Sequence, residues 1–220
     1  MSETPSSSGE GGRLIAEQLR VAIRRGDYAP GDRIVQEELA ERFGASRLPI
    51  RDAIRILELD GLITVVANKG AWISRRSLAE CEEFYRMREH LEPLLLAYSM
   101  PRLSIATLNR MQDLAEELET SQDQEVFLRL SRQFHELSYS GATTSLLAAT
   151  VQRLWNATEL YRHAFTRFNA PEGDKSVHWE HRLLVGALFR QDVAEAQLLL
   201  ESHIRRTRLS ITNHAELFAD

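Results

Sequence analysis

Apolar residues recur every three or four positions near the start of the chain. The stretch from Leu14 to Ile23 follows this helical period, and the sequence GDYAPGD then interrupts it with two glycines and a proline. A second helical pattern covers residues 36–43 and is followed by Gly44, which suits the left-handed conformation that commonly ends a helix. The pattern therefore predicts two helices separated by a turn.

A third helix and a β-hairpin are predicted next. Ser46 is a suitable N-cap, and Pro49 falls in the first turn of the helix, where its missing N–H costs nothing. Two apolar stretches then flank Asn68, Lys69 and Gly70, a turn sequence that suits positive φ. Helix, helix, turn, helix and hairpin within about 60 residues is the order of a winged helix-turn-helix.

The remainder of the chain, from Leu78 onwards, shows amphipathic helical patterns and no strand-like alternation. Ser104, Thr144 and Asp192 are suitable N-caps for three of these helices. Successive helices without strands predict an all-α bundle. The predicted helices cover residues 78–99, 104–120, 123–139, 144–168, 174–190 and 193–217.

Length and composition favour two modest domains in a mainly α protein. The chain has 220 residues, of which 43% are hydrophobic. It has no apolar run of about 18 residues that would cross a bilayer, so we expect no membrane partner. A single cysteine, Cys81, excludes an internal disulfide, as is typical of the reducing cytoplasm. We predict a disordered tail over 1–12, a winged helix-turn-helix domain with a small hairpin wing over 13–75, and an all-α domain over 78–218.

The net charge of −5 differs from that of a generally basic nucleic-acid binder, so DNA contact requires a local patch. Arg47, Arg51 and Arg55 recur at a four-residue spacing on one face of the third helix, whereas Ile50 and Leu57 project to another face. Arginine side chains match guanine edges and phosphates. A solvated basic face with acidic neighbours is the alternative interpretation, but the adjoining turn and hairpin favour DNA.

The first domain resembles the winged helix of the GntR family of bacterial transcription regulators, in its FadR-like branch. The resemblance rests on GDYAPGDRIVQEELAERFGASRLPIRDAIRILELDGLI and on NKGAWI. It implies that the third helix enters the major groove and that the hairpin tip lies at the minor groove. Glu37 and Glu38 stand where some relatives place a DNA-contacting arginine, so no contact is expected from the second helix. The DNA-binding residues implied by the resemblance are Ser46, Arg47, Pro49, Arg51, Arg55, Asn68, Lys69 and Gly70.

The helical half is similar to FCD ligand-binding domains in YRMREHLEP, FHEL, EHRLLVGALFRQD and ESHIRRT. Such domains commonly hold a divalent metal with an aspartate and three histidines, and His135, His181 and His203 match the histidines. Ser131 occupies the position of the aspartate, and a neutral hydroxyl is a poorer ligand than a carboxylate. Three imidazoles alone can still hold zinc, so the resemblance leaves open whether zinc, nickel, manganese or no metal binds.

An arginine on the first helix of this domain also matches the family. Relatives use this arginine for the carboxylate of an effector, which here implies Arg88. The alternative is a surface salt bridge between Arg88 and Glu92, four residues later. The effector-binding residues implied by the resemblance are Arg88, Ser131, His135, His181 and His203.

The resemblance implies a ligand-responsive transcription regulator, with the action of a repressor. It would bind a palindromic operator in double-stranded DNA as a homodimer and be released by a small organic acid. Two alternatives use the same histidines: a metal-dependent hydrolase and a metal-sensing regulator. The hydrolase would need a general base, and Glu136 projects about 100° away from His135 around the helix.

Overall fold

The computed structural model describes residues 7–168, 176–214 and 218. The chain divides into two compact units, one formed by residues 1–77 and 218–220 and the other by residues 78–217. Within the described residues, no helix has the length and apolar character needed to cross a bilayer. The fold is mainly helical with one small antiparallel sheet, as the sequence predicts.

The first unit is a three-helix core with a three-stranded sheet. Its sheet order is β1-β3-β2, with both pairings antiparallel. Strand β1 was not predicted, because two residues are too few to show an alternating pattern. The elements are α1 (Ser7–Arg25), β1 (Arg33–Ile34), α2 (Gln36–Phe43), α3 (Arg47–Leu59), β2 (Ile63–Val66) and β3 (Gly70–Ile73).

Helix α1 begins at Ser7, six residues before the expected start of the domain at Arg13. Residues 7–12 are therefore helical and not part of a disordered tail, whereas residues 1–6 lie outside the described residues. Gly12 explains why this segment packs so closely. A Cβ atom at Gly12 would lie 2.7 Å from Asp52 Cβ on α3, so only glycine allows the two helices to approach this way.

The buried face of α3 packs against α1. Ile50, Ala53 and Leu57 are fully buried, and Leu19 and Ile23 of α1 are buried with them. Burial of such aliphatic side chains stabilises the unit by about 1.5–3 kcal/mol for each large residue. This packing fixes the orientation of α3, because its apolar face cannot turn to solvent without losing the core.

The turns around α3 have the backbone conformations that the sequence predicts. Gly44 ends α2 with φ of 58°, and its N–H donates to the carbonyl oxygens of the last turn. Asn68 and Gly70 adopt φ of 61° and 130° in the hairpin between β2 and β3. These conformations are those that Gly and Asn adopt at least cost.

The second unit contains six α-helices and one short 3₁₀ turn within the described residues. Helix α4 packs against both α7 and α9 and so forms the centre of the unit. The elements are α4 (Leu78–Ser99), the turn Met100–Arg102, α5 (Ile105–Thr120), α6 (Gln124–Ser138), α7 (Ser145–Phe168), α8 (Ser176–Phe189) and α9 (Val193–Thr212).

The helix ends confirm some of the predicted caps and correct others. Ser104 and Asp192 accept hydrogen bonds from the backbone N–H groups of Thr107 and Glu195, as N-caps do. Ser46 has the extended backbone of an N-cap, but its side chain makes no capping hydrogen bond. Thr144 stands at the N-cap position of the next helix, where its carbonyl oxygen accepts from Ala148 N–H, but its buried hydroxyl makes no hydrogen bond to the described atoms.

Two predicted helix limits also change. Helix α9 ends at Thr212, five residues before the predicted end at residue 217. The N–H of the next residue, Asn213, donates to carbonyl oxygens of the last turn and closes the helix. The described part of α8 begins at Ser176, whereas the predicted start at residue 174 lies outside the described residues, as do residues 215–217. Cys81 is buried on α4, and burial raises the pKa of its thiol to about 12.

Candidate functional site

Helix α3 presents its row of arginines to solvent. Arg47, Arg51 and Arg55 are exposed, whereas the opposite face, with Ile50 and Leu57, is completely buried. The four-residue spacing keeps the guanidinium groups on one side of the helix. The geometry therefore has the form that the sequence predicts: one face is fixed by packing and the other is available to an anionic surface.

The remaining predicted DNA-binding residues lie in the first turn of α3 and in the hairpin between β2 and β3. Ser46 is exposed at the N-terminus of α3, and Pro49 is half-buried in its first turn. Backbone N–H groups at a helix N-terminus attract phosphate. Asn68 and Lys69 are exposed at the tip of the hairpin, and Gly70 begins β3.

Two charged residues near this surface were not predicted to take part. Glu37 of α2 forms an ion pair with Arg47, with Arg47 Nη2 and Glu37 Oε1 3.3 Å apart and both side chains exposed. The acidic second helix therefore contacts the arginine row. Arg33 of β1 lies beside the wing, because a Cβ atom on Gly70 would be 3.7 Å from Arg33 Nε. Arg33 could not be predicted as part of this surface, since β1 itself was not predicted.

In the second unit, the three predicted histidines come together from three helices. His135 of α6, His181 of α8 and His203 of α9 are all buried. Their ring centroids are 5.7 Å apart for His135 and His181, 5.2 Å for His135 and His203, and 5.0 Å for His181 and His203. One ring nitrogen from each lies within 4.8 Å of the others. The structure therefore brings together the three histidines that the family resemblance indicated.

Burial disfavours the charged forms of His135 and His203. Desolvation, followed by the neighbouring His203 and His181, lowers the pKa of His135 well below its ordinary value. Desolvation also lowers the pKa of His203, although the Glu180 carboxylate opposes this shift. His203 Nδ1 lies 2.7 Å from Glu180 Oε2, so Nδ1 carries the proton and Nε2 keeps its lone pair.

The donor set fits a divalent metal in part. Neutral imidazoles are ligands for zinc and nickel, and a carboxylate on the second nitrogen of one imidazole is the usual outer support of such sites. Nδ1 of His135 is buried with no hydrogen-bond partner among the described atoms. The arrangement differs from the family pattern at Ser131, which is buried one turn before His135 and brings no negative charge.

Arg88 is buried, whereas the alternative drawn from the sequence placed it in a surface salt bridge. Arg88 Nε donates to Glu92 Oε1 at 2.5 Å, and Arg88 Nη1 donates to Thr158 Oγ1 at 2.9 Å. Glu92 Oε2 also accepts from the Tyr139 hydroxyl at 2.5 Å. The predicted ion pair therefore exists, but it lies inside the unit, where the Arg88 charge already has a carboxylate partner.

Arg162 is a site residue that the sequence analysis missed. Its Nη2 donates to Ser131 Oγ at 3.1 Å, and its guanidinium carbon lies 4.9 Å from the centre of the Trp155 ring. Desolvation is the main cause of a lowered pKa for Arg162, and Arg88 also lowers it. The available signal was the seven-residue spacing between Trp155 and Arg162, which places both on one face of α7.

Trp155 joins these groups into one site. The guanidinium carbon of Arg88 lies 4.1 Å from the centre of its ring, and the His135 ring centroid lies 5.3 Å away. The site thus combines three imidazoles, the indole ring of Trp155 and the guanidinium groups of Arg88 and Arg162. Such a set of groups is suited to a small anion or to a metal with an anionic ligand.

Comparison with known proteins agrees with the division of the chain. Residues 13–73 match the family model of bacterial regulatory proteins of the gntR family, and residues 83–206 match that of the FCD domain. The chain is 35% identical over 125 residues to the uncharacterized HTH-type transcriptional regulator YdhC of Bacillus subtilis. The matched segment covers 54% of this chain and 55% of YdhC.

Other relatives are matched over more of their length. The HTH-type transcriptional repressor GlaR of Escherichia coli is 26% identical, over 84% of this chain and 89% of GlaR. The E. coli regulator McbR is 25% identical, over 64% of this chain and 65% of McbR. The first two of these relatives by similarity, YdhC and McbR, are thus matched over less than two thirds of their lengths.

The fold also matches a solved structure. The structure of E. coli McbR/YncC superposes with a TM-score of 0.82 at 21% sequence identity, over 92% of this chain and 97% of that one. This likeness confirms the architecture, and the family models account for the motifs in both halves. The chain belongs to the GntR family of bacterial regulatory proteins and carries an FCD domain in its C-terminal half.

Proposed function

We propose that the protein is a transcription regulator that binds operator DNA through α3 and the hairpin and changes its DNA affinity when a small organic acid binds the histidine site. The observation that carries the first half is the exposed row formed by Arg47, Arg51 and Arg55 on a helix whose other face is fixed in the core. The second half is supported by the buried imidazoles and by the guanidinium groups of Arg88 and Arg162 beside Trp155.

The experiment that tests this function starts from the DNA. Fragments of the source genome that the full-length protein retains would be sequenced, and their affinities measured by fluorescence anisotropy with and without small carboxylic acids. We expect the retained fragments to share one recurrent sequence, and the affinity of the protein for that sequence to change in the presence of at least one acid. Retention of unrelated fragments with equal affinity would contradict it.

We also propose that a homodimer binds an inverted repeat. Met87, Leu94 and Tyr98 share one face of α4 and are 40%, 42% and 50% exposed, and a second copy of the chain would cover this apolar stripe. A two-fold protein reads a two-fold site. Native mass spectrometry of the DNA complex should give two chains per operator, and a single chain on one half-site would refute this.

The action of a repressor and a cytoplasmic location complete the proposal. GlaR is named a transcriptional repressor, and a repressor fits a mechanism in which the ligand releases DNA. The differential affinity of the ligand for the DNA-bound and free forms would set the size of the response. The hydrolase alternative falls away, because the family and its named members are transcription regulators.

A divalent metal is the second candidate ligand of the site. His135, His181 and His203 would hold it, and a bound cation would supply positive charge for an oxygen of the effector. The missing carboxylate at Ser131 and the nearby Arg162 lower the expected affinity. Calorimetry with zinc, nickel and manganese, before and after chelator treatment, tests whether the metal is a resident ligand, the signal itself, or absent.

Replacement of Lys69 by alanine is expected to weaken binding to operator and to random-sequence DNA by the same factor. Lys69 is exposed at the hairpin tip, and a phosphate contact carries no sequence information. The slope of log affinity against log salt concentration should become shallower by about one. Arg129→Ala, an equal loss of charge at an exposed position of α6, is the control. A loss confined to the operator would contradict a phosphate contact.

Replacement of Glu37 by glutamine is expected to strengthen binding to random-sequence DNA and to lower the ratio of specific to non-specific affinity. The Glu37 carboxylate forms an ion pair with Arg47 and repels DNA phosphates. Glutamine has nearly the same size as glutamate but carries no charge. Glu41→Gln, at another exposed position of α2, is the control. Titrations at two salt concentrations measure the effect. Unchanged non-specific affinity in Glu37→Gln would show that the ion pair has no part in DNA discrimination.

A further inference from the structure

Three guanidinium groups surround Trp155, and two of them are neutralised within the protein. Arg88 is paired with Glu92, and Arg132 is paired with Glu159 at 2.9 Å. For Arg162, the structure gives a hydrogen bond to the Ser131 hydroxyl but no carboxylate within ion-pair distance among the described side chains. Arg162 therefore brings the one positive charge at this site that has no ion-pair partner in the described part of the chain.

Such a charge favours an anion from outside. Removing a guanidinium from water costs free energy, and a bound anion offsets that cost with charge-assisted hydrogen bonds. The hydroxyl of Ser131 satisfies one N–H group of Arg162 but supplies no charge. The remaining N–H groups of the planar fork can meet the two oxygens of a carboxylate side by side.

A second, independent feature points to the same place. His135 is 2% exposed, and its Nδ1 has no hydrogen-bond partner among the described atoms. His135 lies one helical turn after Ser131 on α6, and its ring packs 5.3 Å from that of Trp155. A neutral imidazole can donate an N–H to an anion, so the guanidinium and the imidazole offer donors beside one indole wall.

We propose that Arg162 is the anchor for a single carboxylate of the ligand, which lies between Arg162 and His135 in the corner where Ser131 replaces an acidic residue. This proposal rests on the proposed function, since it takes the histidine site to be the effector site. It names a monocarboxylate as the ligand class. One unpaired cation matches one negative charge, and a phosphate dianion would add excess charge near the carboxylates of Glu92 and Glu159.

The test uses the full-length protein and defined probes. Acetate, lactate, butyrate and benzoate serve as monocarboxylates, and inorganic phosphate at equal ionic strength serves as the comparison. Melting temperature and calorimetry report binding, in chelator and again with zinc. The expected result is that at least one monocarboxylate raises the melting temperature of the wild type and that phosphate does not.

Three variants locate the anchor. Arg162→Gln should weaken binding of the stabilising probe by about 10- to 100-fold, the usual worth of a hydrogen bond to a charged group. Ser131→Asp should weaken it as well, because the new carboxylate pairs with Arg162 and replaces the anion of the ligand. Arg153→Gln, at an exposed position of the same helix, should bind like the wild type.

A purely structural role for Arg162 gives a different result. If Arg162 served only to hold Ser131, Arg162→Gln would lower the melting temperature of the ligand-free protein. If Arg162 is instead an unpaired cation, its replacement should leave the melting temperature of the ligand-free protein unchanged or raise it. Undiminished probe binding in Arg162→Gln would overturn the anchor but leave the effector site in place. Failure of every carboxylate to bind the wild type would contradict both the anchor and the effector half of the proposed function.

Discussion

Replacement of Glu92 by alanine is expected to lower the free energy of unfolding of the helical unit by about 3–5 kcal/mol, the usual cost of breaking a buried ion pair. Glu92 is completely buried and accepts from both Arg88 and the Tyr139 hydroxyl. Alanine leaves the buried Arg88 guanidinium without its carboxylate. Denaturant unfolding followed by far-ultraviolet circular dichroism measures the loss, since most helices lie in this unit.

Two controls separate the ion pair from general effects on α4. Glu83→Ala removes an exposed carboxylate from the same helix and should change the free energy of unfolding by about 0.5 kcal/mol or less. The double variant Arg88→Met/Glu92→Leu removes both charges and should recover much of the lost stability, because apolar residues can replace a buried pair. A loss of about 1 kcal/mol or less in Glu92→Ala would show that the pair is solvated.

Replacement of Arg47 or Arg51 by alanine is expected to weaken operator binding by about 1–3 kcal/mol each, which is about 5- to 150-fold. Each exposed guanidinium can form two hydrogen bonds with a guanine edge, and alanine forms none. Because both side chains point away from the core, the helical content and melting temperature should not change. Arg86→Ala, with a side chain 60% exposed on α4, is the matched control.

Arg47→Ala and Arg51→Ala should lower sequence-specific binding, whereas Lys69→Ala should weaken binding to all DNA alike. Loss of a base contact lowers affinity for the operator more than for random-sequence DNA and relaxes the preference at one base pair. Anisotropy titrations with operator variants substituted at each position would show this. Equal operator affinity in the wild type, Arg47→Ala and Arg51→Ala would reject α3 as the recognition helix.

The DNA-binding unit was largely predictable from the sequence, because its signals are local. The arginine row and the apolar positions lie on opposite faces of one helix, and Gly44 and Gly70 mark turns that need positive φ. Strand β1 was missed because its two residues pair with β3 across more than 35 positions. The pairing of Glu37 with Arg47 was missed because it depends on the angle between two helices.

The histidine site was predictable only in part. A family pattern identified His135, His181 and His203, although nothing local in the sequence brings α6, α8 and α9 together. The same family pattern showed that Ser131 stands in place of a metal-binding aspartate. The structure adds Arg162, which comes from α7 and is 31 residues away from the serine it contacts. The sequence could not show whether the Arg88–Glu92 ion pair is exposed or buried, because the four-residue spacing suits both. The structure shows that it is buried.

Operator recognition is tested most directly by an equilibrium titration of the selected genomic operator with the full-length wild-type protein. Random-sequence DNA of the same length is titrated beside it at the same salt concentration. We expect a dissociation constant of about 10⁻⁸–10⁻¹¹ M for the operator, at least about 10³-fold tighter than for random DNA. We also expect the stabilising monocarboxylate to change the operator affinity. Equal affinity for operator and random DNA, with no response to any carboxylate, would contradict the assignment as a ligand-responsive DNA-binding regulator.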